Sequence, residues 1–107
     1  MTPLVQIKPG VRMAGVKPEM MVVLDVVPVV FARFGYDCWL TSCVRNGDGT
    51  SKHDSGEAMD FDSSVNVPEA TGHEIAFRVN QTLSRDYDAL WHGPRFHLHV
   101  EHDPKDG

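Results

Sequence analysis

Residue types that bind divalent metals stand in two short segments of this chain. His53 and Asp60 bracket the stretch His53-Asp54-Ser55-Gly56-Glu57-Ala58-Met59-Asp60, and His97-Leu98-His99 lies far downstream in Arg95-Phe96-His97-Leu98-His99-Val100-Glu101. Two histidines and one carboxylate leave a coordination position open for water, which a catalytic zinc site needs and a four-ligand structural site lacks. Nitrogen and oxygen ligands suit zinc, although the same set accepts other divalent metals. These residues point to a small metallohydrolase.

The ligands must be positioned by the elements around them, and strand parity supplies an independent check. In a strand over Phe96 to Glu101, Phe96, Leu98 and Val100 share one face, while His97, His99 and Glu101 share the other. In a second short strand from Glu57 to Asp62, Met59 and Phe61 point inward and Ala58, Asp60 and Asp62 point to the opposite face. Two neighbouring strands can then bring Asp60 and His99 to one point, with His53 reaching in from the preceding loop. Any single one of the six histidines would more often be a surface or core residue than a ligand; the conjunction of the two segments carries the metal reading.

Residues 1–16 hold prolines and glycines without periodicity and are expected to form an extended lead-in packed over the domain. Met20, Leu24, Val27, Phe31 and Phe34 recur at helical spacing between Pro18 and Gly35, with Pro28 expected to kink or split the helix. Tyr36 to Val44 reads as a strand ending in the turn-rich Arg45-Asn46-Gly47-Asp48-Gly49-Thr50. Pro68 to about Ser84 reads as a second helix, with Ile75, Val79 and Leu83 on one face. Tyr87 to His92 pairs with the last strand as an antiparallel hairpin through Gly93-Pro94, and residues 103–107 are expected to form a mobile tail. The order predicts an α+β fold, a small and largely antiparallel sheet with two main helices in a single domain over 1–107.

Composition narrows the function classes. Hydrophobic residues at 41% and charged residues at 23% fit a folded domain and speak against disorder. A net charge of -5 without a run of Lys or Arg gives no footprint for nucleic acid and no polybasic membrane anchor. The apolar run from Met20 is broken by Asp25 and Pro28, so no membrane insertion is expected. Cys38 and Cys43, an odd separation apart in one predicted strand, are expected on opposite faces as reduced packing residues. The first residues carry no secretory signal, so the protein is expected to be made in the cytoplasm and, if it acts outside, released by a holin or carried in a virion.

Ser51-Lys52-His53-Asp54-Ser55-Gly56-Glu57-Ala58-Met59-Asp60 closely resembles the S-x-H-x-x-G-x-A-x-D motif of the D-alanyl-D-alanine carboxypeptidase family of zinc peptidases. His97-Leu98-His99-Val100-Glu101 resembles the H-x-H strand of that family's murein endopeptidase and phage endolysin relatives, and Leu40-Thr41-Ser42-Cys43-Val44-Arg45 looks like the arginine-ending strand that precedes the first motif. The resemblance spans roughly residues 18 to 102. It implies a hedgehog/D-Ala-D-Ala-peptidase-like fold, with His53, Asp60 and His99 as zinc ligands, Arg45 binding substrate and Ser51 lining the substrate site. Several members place a glutamate base three residues before the last ligand, where this chain has Phe96. The endopeptidase-like branch carries a histidine at the first position of H-x-H, which His97 fills, and His92 is a second candidate polar group over the site.

The expected chemistry follows. Zinc lowers the pKa of its water toward ~7 and polarises a carbonyl. His97, with an ordinary imidazole pKa near ~6.5, orients or accepts the proton and later assists the leaving amine. Glu101, Glu57 and Asp54 are nearby carboxylates, with Glu101 ranked behind His97 because it sits at the strand end. The planar fork of Arg45 suits a peptide carboxylate or an oxyanion, against the blander expectation of a loop arginine paired with Asp48 or Asp62. The leading expectation is a monomeric zinc peptidase acting on peptidoglycan peptides for cell-wall lysis or remodelling. The alternatives are a non-catalytic zinc-stabilised domain of a phage particle or partner-binding protein, and a metal-dependent amidase for an unrelated small substrate.

Overall fold

The computed structural model describes residues 4–45, 47, 51–92 and 97–105. The expected turn at Gly93-Pro94, the position of Phe96, and Asn46 with Asp48 to Thr50 lie outside the described residues. The described chain is α+β. Strands β1 (Val5–Ile7), β2 (Cys38–Ser42), β3 (Ala58–Asp62), β4 (Tyr87–His92) and β5 (His97–His102) form one sheet in the order β1-β2-β3-β5-β4, with helices α1 (Met21–Arg33) and α2 (Glu69–Thr82). Only the β1–β2 pairing is parallel among these neighbours; the others are antiparallel.

The alternation expected of β3 and β5 is what places the core. Met59 pairs with Val100 and Phe61 with Leu98, and all four are fully buried. Leu40, Ala89 and Trp91 extend that apolar face, and Val23, Val27 and Phe31 of α1 with Ile75 and Val79 of α2 join the same cluster. At about 25 cal/mol per Å² of apolar surface removed from water, this packing is the main force holding the sheet to the helices. The opposite face carries Ser42, Asp60, His99 and Leu90 in successive register across β2, β3, β5 and β4.

Three local features depart from the pattern expected of the sequence. The helix does not break at Pro28: a 3-10 turn over Pro18–Met20 leads into α1, which runs through a buried Pro28. An interior proline costs about 3 kcal/mol, and burial of Val27, Val30 and Phe31 around it outweighs that cost. The helix ends where anticipated, at Gly35 with φ +86, whose N–H and that of Tyr36 reach back to the carbonyls of Ala32 and Phe31.

The lead-in contributes a strand. β1 registers Val5 against Cys38 and Ile7 against Leu40, and Arg12 forms a further bridge with Val44. Cys38 and Cys43 do not point to opposite faces; both are buried in the one core cluster as free thiols. The reason is a bulge in β2, where the register against β3 shifts between Leu40 and Ser42 and inverts the parity beyond it.

At the other end, Asp103 and Lys105 hydrogen-bond to residues at the start of β4 and just before it. Asp103 N–H donates to the Asp86 carbonyl at 2.7 Å, and Lys105 Nζ donates to Asp88 Oδ2 at 2.9 Å. Among the described residues, no helix is long and apolar enough to cross a membrane.

Candidate metal centre

The β2 bulge, the β3–β5 register and one tight loop assemble the site. Asp60 pairs directly with His99 across β3 and β5, so both side chains leave the sheet on the face away from the helices. His53 arrives from the loop before β3. Its own N–H donates to Ser51 Oγ at 3.1 Å, and the loop closes through Gly56 N–H on the His53 carbonyl and Glu57 N–H on the Lys52 carbonyl. Gly56 takes φ +77, and a Cβ there would lie 2.1 Å from the Gly15 carbonyl oxygen, so the loop needs glycine both for its turn and for close passage of the lead-in.

His53, Asp60 and His99 each offer a ligand atom within 4.8 Å of the others, a group that could hold a metal ion. The carboxylate is the hub. His53 Nε2 lies 3.2 Å from Asp60 Oδ2, and His99 Nδ1 lies 2.9 Å from Oδ1. Arg45 Nη2 lies 3.0 Å from Oδ2, with its Nε donating to Ser42 Oγ. Asp60 is only 4% exposed, and burial alone would raise its pKa. Hydrogen bonds from His53 and His99 outweigh that penalty and hold its carboxyl well below the usual range, ionised as a metal ligand must be.

Each imidazole also has a partner on its side away from Asp60. His53 Nδ1 donates to the Cys43 carbonyl at 2.7 Å, which leaves Nε2 as the atom facing Asp60. His99 is turned the other way, with Nδ1 toward Asp60 and Nε2 2.9 Å from Glu101 Oε1. The Asp60 hydrogen bond raises His99 above the ordinary imidazole range, burial opposes this, and Glu101 adds to the rise. The donor set of one buried carboxylate and two oppositely oriented imidazoles, each anchored behind, fits a nitrogen- and oxygen-liganded divalent ion.

The other sequence-predicted residues fall at different distances from this hub. His97 is on the same face, with Nε2 3.6 Å from Asp60 Oδ1. His92 pairs with His97 across the hairpin, its ring centroid 4.8 Å from that of His97 and 5.6 Å from that of His99. Arg45 reaches the centre, where it pairs with Asp60; of the two acids in the blander expectation, Asp48 lies outside the described residues. Ser51 spends its hydroxyl on the backbone of His53 and so shapes the ligand loop. Of the other histidines, His73 is exposed beside Glu69 on α2, and His102 stacks near Tyr87.

Sequence reasoning did not anticipate the Cys43 carbonyl behind His53 or the Glu101 carboxylate bonded to His99. Glu101 was visible as sharing a face with His99; the bulge that turns Ser42 and Arg45 toward Asp60 left no residue signature. Comparison with protein-family models, with characterised proteins and with solved structures gives no match to this chain.

Proposed function

We propose that this protein is a zinc-dependent peptidase that hydrolyses peptide bonds of peptidoglycan, with the hedgehog/D-Ala-D-Ala-peptidase-like arrangement of its site. The observation that carries the proposal is the convergence of His53, Asp60 and His99 at the spacing of the S-x-H-x-x-G-x-A-x-D and H-x-H motifs. Zinc bound there supplies Lewis acidity to water and to a substrate carbonyl. The chain's own residues do the rest. His97, beside Asp60 and partly open to solvent, handles the proton, taking it from water and returning it to the leaving amine. His92 stands next to it as a second polar group over the site. Arg45 keeps its side chain 53% exposed while touching Asp60, which leaves guanidinium donors for a substrate carboxylate or a developing oxyanion.

The surroundings suit an extended peptide. Arg45 lines a recess of about 290 Å³ with Lys8, Thr41 and Ser42 on the β2 side. On the β4 side, His99 lines a second recess of about 320 Å³ with Asp88, Leu90 and Glu101. A chain laid across β2, β3, β5 and β4 passes over the centre between them.

Digestion of purified peptidoglycan followed by mass analysis of the muropeptides tests this reading. The expected result is release of new free amines by the zinc-loaded protein, lost in His53→Ala and Asp60→Ala. His97→Ala is expected to keep its zinc and lose turnover. Zinc-loaded wild-type protein that cleaves no peptidoglycan of any wall type would replace this reading with a zinc-stabilised binding domain of a phage particle. One observation favours that second reading: Glu101, the carboxylate nearest His99 in sequence, is already bonded to its imidazole.

A further inference from the structure

We propose that Trp39 and the recess beside it form a saccharide subsite on the metal face of the sheet, holding one sugar ring of a glycan strand while the attached peptide lies over His53, Asp60 and His99. The inference rests on reading the substrate as peptidoglycan, and adds a part of that substrate which the peptidase chemistry does not touch.

Strand register places the recess. Leu40 is buried in the core, so Trp39, its neighbour in β2, projects to the opposite face. Its partner across the strand pair is Asp62, which shares a face with Asp60 two residues earlier in β3. By ordinary strand dimensions Trp39 stands roughly 8 Å from Asp60, two residues along and one strand across. Trp39 lines a recess of about 170 Å³ with Lys8, Thr41, Asp62, Ser63 and Ser64. Sites that enclose a whole small ligand run to roughly 300–1,000 Å³, so this one takes a single ring of a larger molecule.

The chemistry of the lining selects the ring. An indole has one polar atom, and Trp39 Nε1 already donates to Asp37 Oδ2 at 3.1 Å. Asp37 is held in turn by the Ser63 hydroxyl and by Ser64 N–H at 3.0 Å, which fixes the indole edge. What Trp39 has left to offer is an apolar ring face with partial negative charge, suited to C–H groups that carry a slight positive charge. Around it stand hydrogen-bonding groups of both kinds. Asp62 Oδ1 accepts from Ser63 N–H at 2.8 Å, and among the described residues no donor reaches its Oδ2. Lys8 brings an ammonium that forms no ion pair among the described residues. With one cation and one carboxylate in its lining, the recess has no net charge to attract an ionic ligand. A pyranose matches this setting, because its C–H face is apolar and its rim of hydroxyls both donates and accepts.

The test is binding of soluble N-acetylglucosamine oligomers to the purified full chain, followed in proton–nitrogen correlation spectra, for wild type, Trp39→Ala, Trp39→Phe and Phe77→Ala. In the wild type the Trp39 indole N–H and the amides of Asp62, Ser63 and Ser64 are expected to shift. Trp39→Ala is expected to bind about 10-fold more weakly, and Trp39→Phe, which keeps a smaller ring face, about 3-fold. Phe77→Ala removes an exposed aromatic ring on α2 and is expected to match wild type. Shifts confined to other residues, or equal affinity in wild type and folded Trp39→Ala, would overturn the inference. Larger shifts at the same amides with a sugar-free stem peptide would also overturn it, since the occupant would then be peptide. If Trp39→Ala does not fold, the wild-type shift map and Trp39→Phe decide. Because binding is read without turnover, the two readings fail separately. Sugar binding by a protein that cuts no peptidoglycan overturns the peptidase proposal and leaves the subsite, whereas cleavage by a protein that binds no sugar overturns the subsite and leaves the peptidase.

Discussion

Replacing Gly72 by alanine sets two known effects against each other with opposite signs. Gly72 lies in the first half of α2 and is buried against β4; a Cβ at that position would sit 2.1, 2.3 and 2.4 Å from three ring atoms of Trp91. Those separations are more than 1 Å short of ordinary contact, and Trp91 is only 4% exposed, so the indole cannot withdraw into solvent. Overpacking of a core typically costs about 1–3 kcal/mol, and this site belongs at the upper end because backbone of one element meets an aromatic ring of another. Alanine in place of glycine in a helix returns about 1 kcal/mol. The net expectation is a loss of about 2 kcal/mol, or a melting temperature lower by on the order of 10 °C for a domain of this size.

Urea unfolding with a chelator present reads this without a contribution from metal binding. The midpoint should fall with the slope unchanged. In a Trp91→Leu background the ring is gone, and the same substitution should become neutral or stabilising. A Gly72→Ala protein as stable as the parent, or more stable by the helix-propensity term, would refute the close α2–β4 packing. The consequence reaches the site, because Trp91 pairs with Leu98 between the His92–His97 and Leu90–His99 pairs.

Asn80 accepts from Ala89 N–H at 2.8 Å and donates to its carbonyl at 2.9 Å, occupying the outer edge of β4; Asn80→Ala should cost about 1–2 kcal/mol and favour association through the exposed edge, read by melting and light scattering. Burial pushes the Cys38 thiol up to about 12 from 9.0, so between these values an unfolded chain loses the proton while the folded one keeps it. Stability present below pH 9 should therefore fall as pH rises above it, by up to about 1.4 kcal/mol per unit, a slope that Cys38→Val should flatten in denaturation curves. Gly56→Ala combines a positive φ with a Cβ 2.1 Å from the Gly15 carbonyl; displacement of the His53 loop should weaken zinc binding in a chelator competition even where circular dichroism is unchanged.

Much of the site was legible because it depends on strand parity. Alternation alone put Asp60 and His99 on a face opposite Met59, Phe61, Leu98 and Val100, and the register of β3 against β5 joins them as an adjacent pair. Features that break parity were not legible. The bulge between Leu40 and Ser42 is a property of the β2–β3 pairing, and it carries Cys43 into the core and Ser42 to the side of Asp60. β1 escaped notice because three residues, two of them exposed, show too little pattern to separate a strand from extended coil. Pro28 was weighed by local propensity, whereas the buried neighbours on its own turn decide the outcome. The hydrogen bond from His99 to Glu101 was within reach of parity; what the sequence lacked was the direction in which the imidazole turns.

The central claim is that His53, Asp60 and His99 hold one zinc ion. Plasma mass spectrometry of metal content after exhaustive dialysis, run on wild type beside Asp60→Ala and His99→Ala, tests it most directly. One zinc per chain in the wild type, falling close to zero in both variants while they remain folded, is the expected result. Equal zinc in wild type and variants, or a wild type with none, would contradict it.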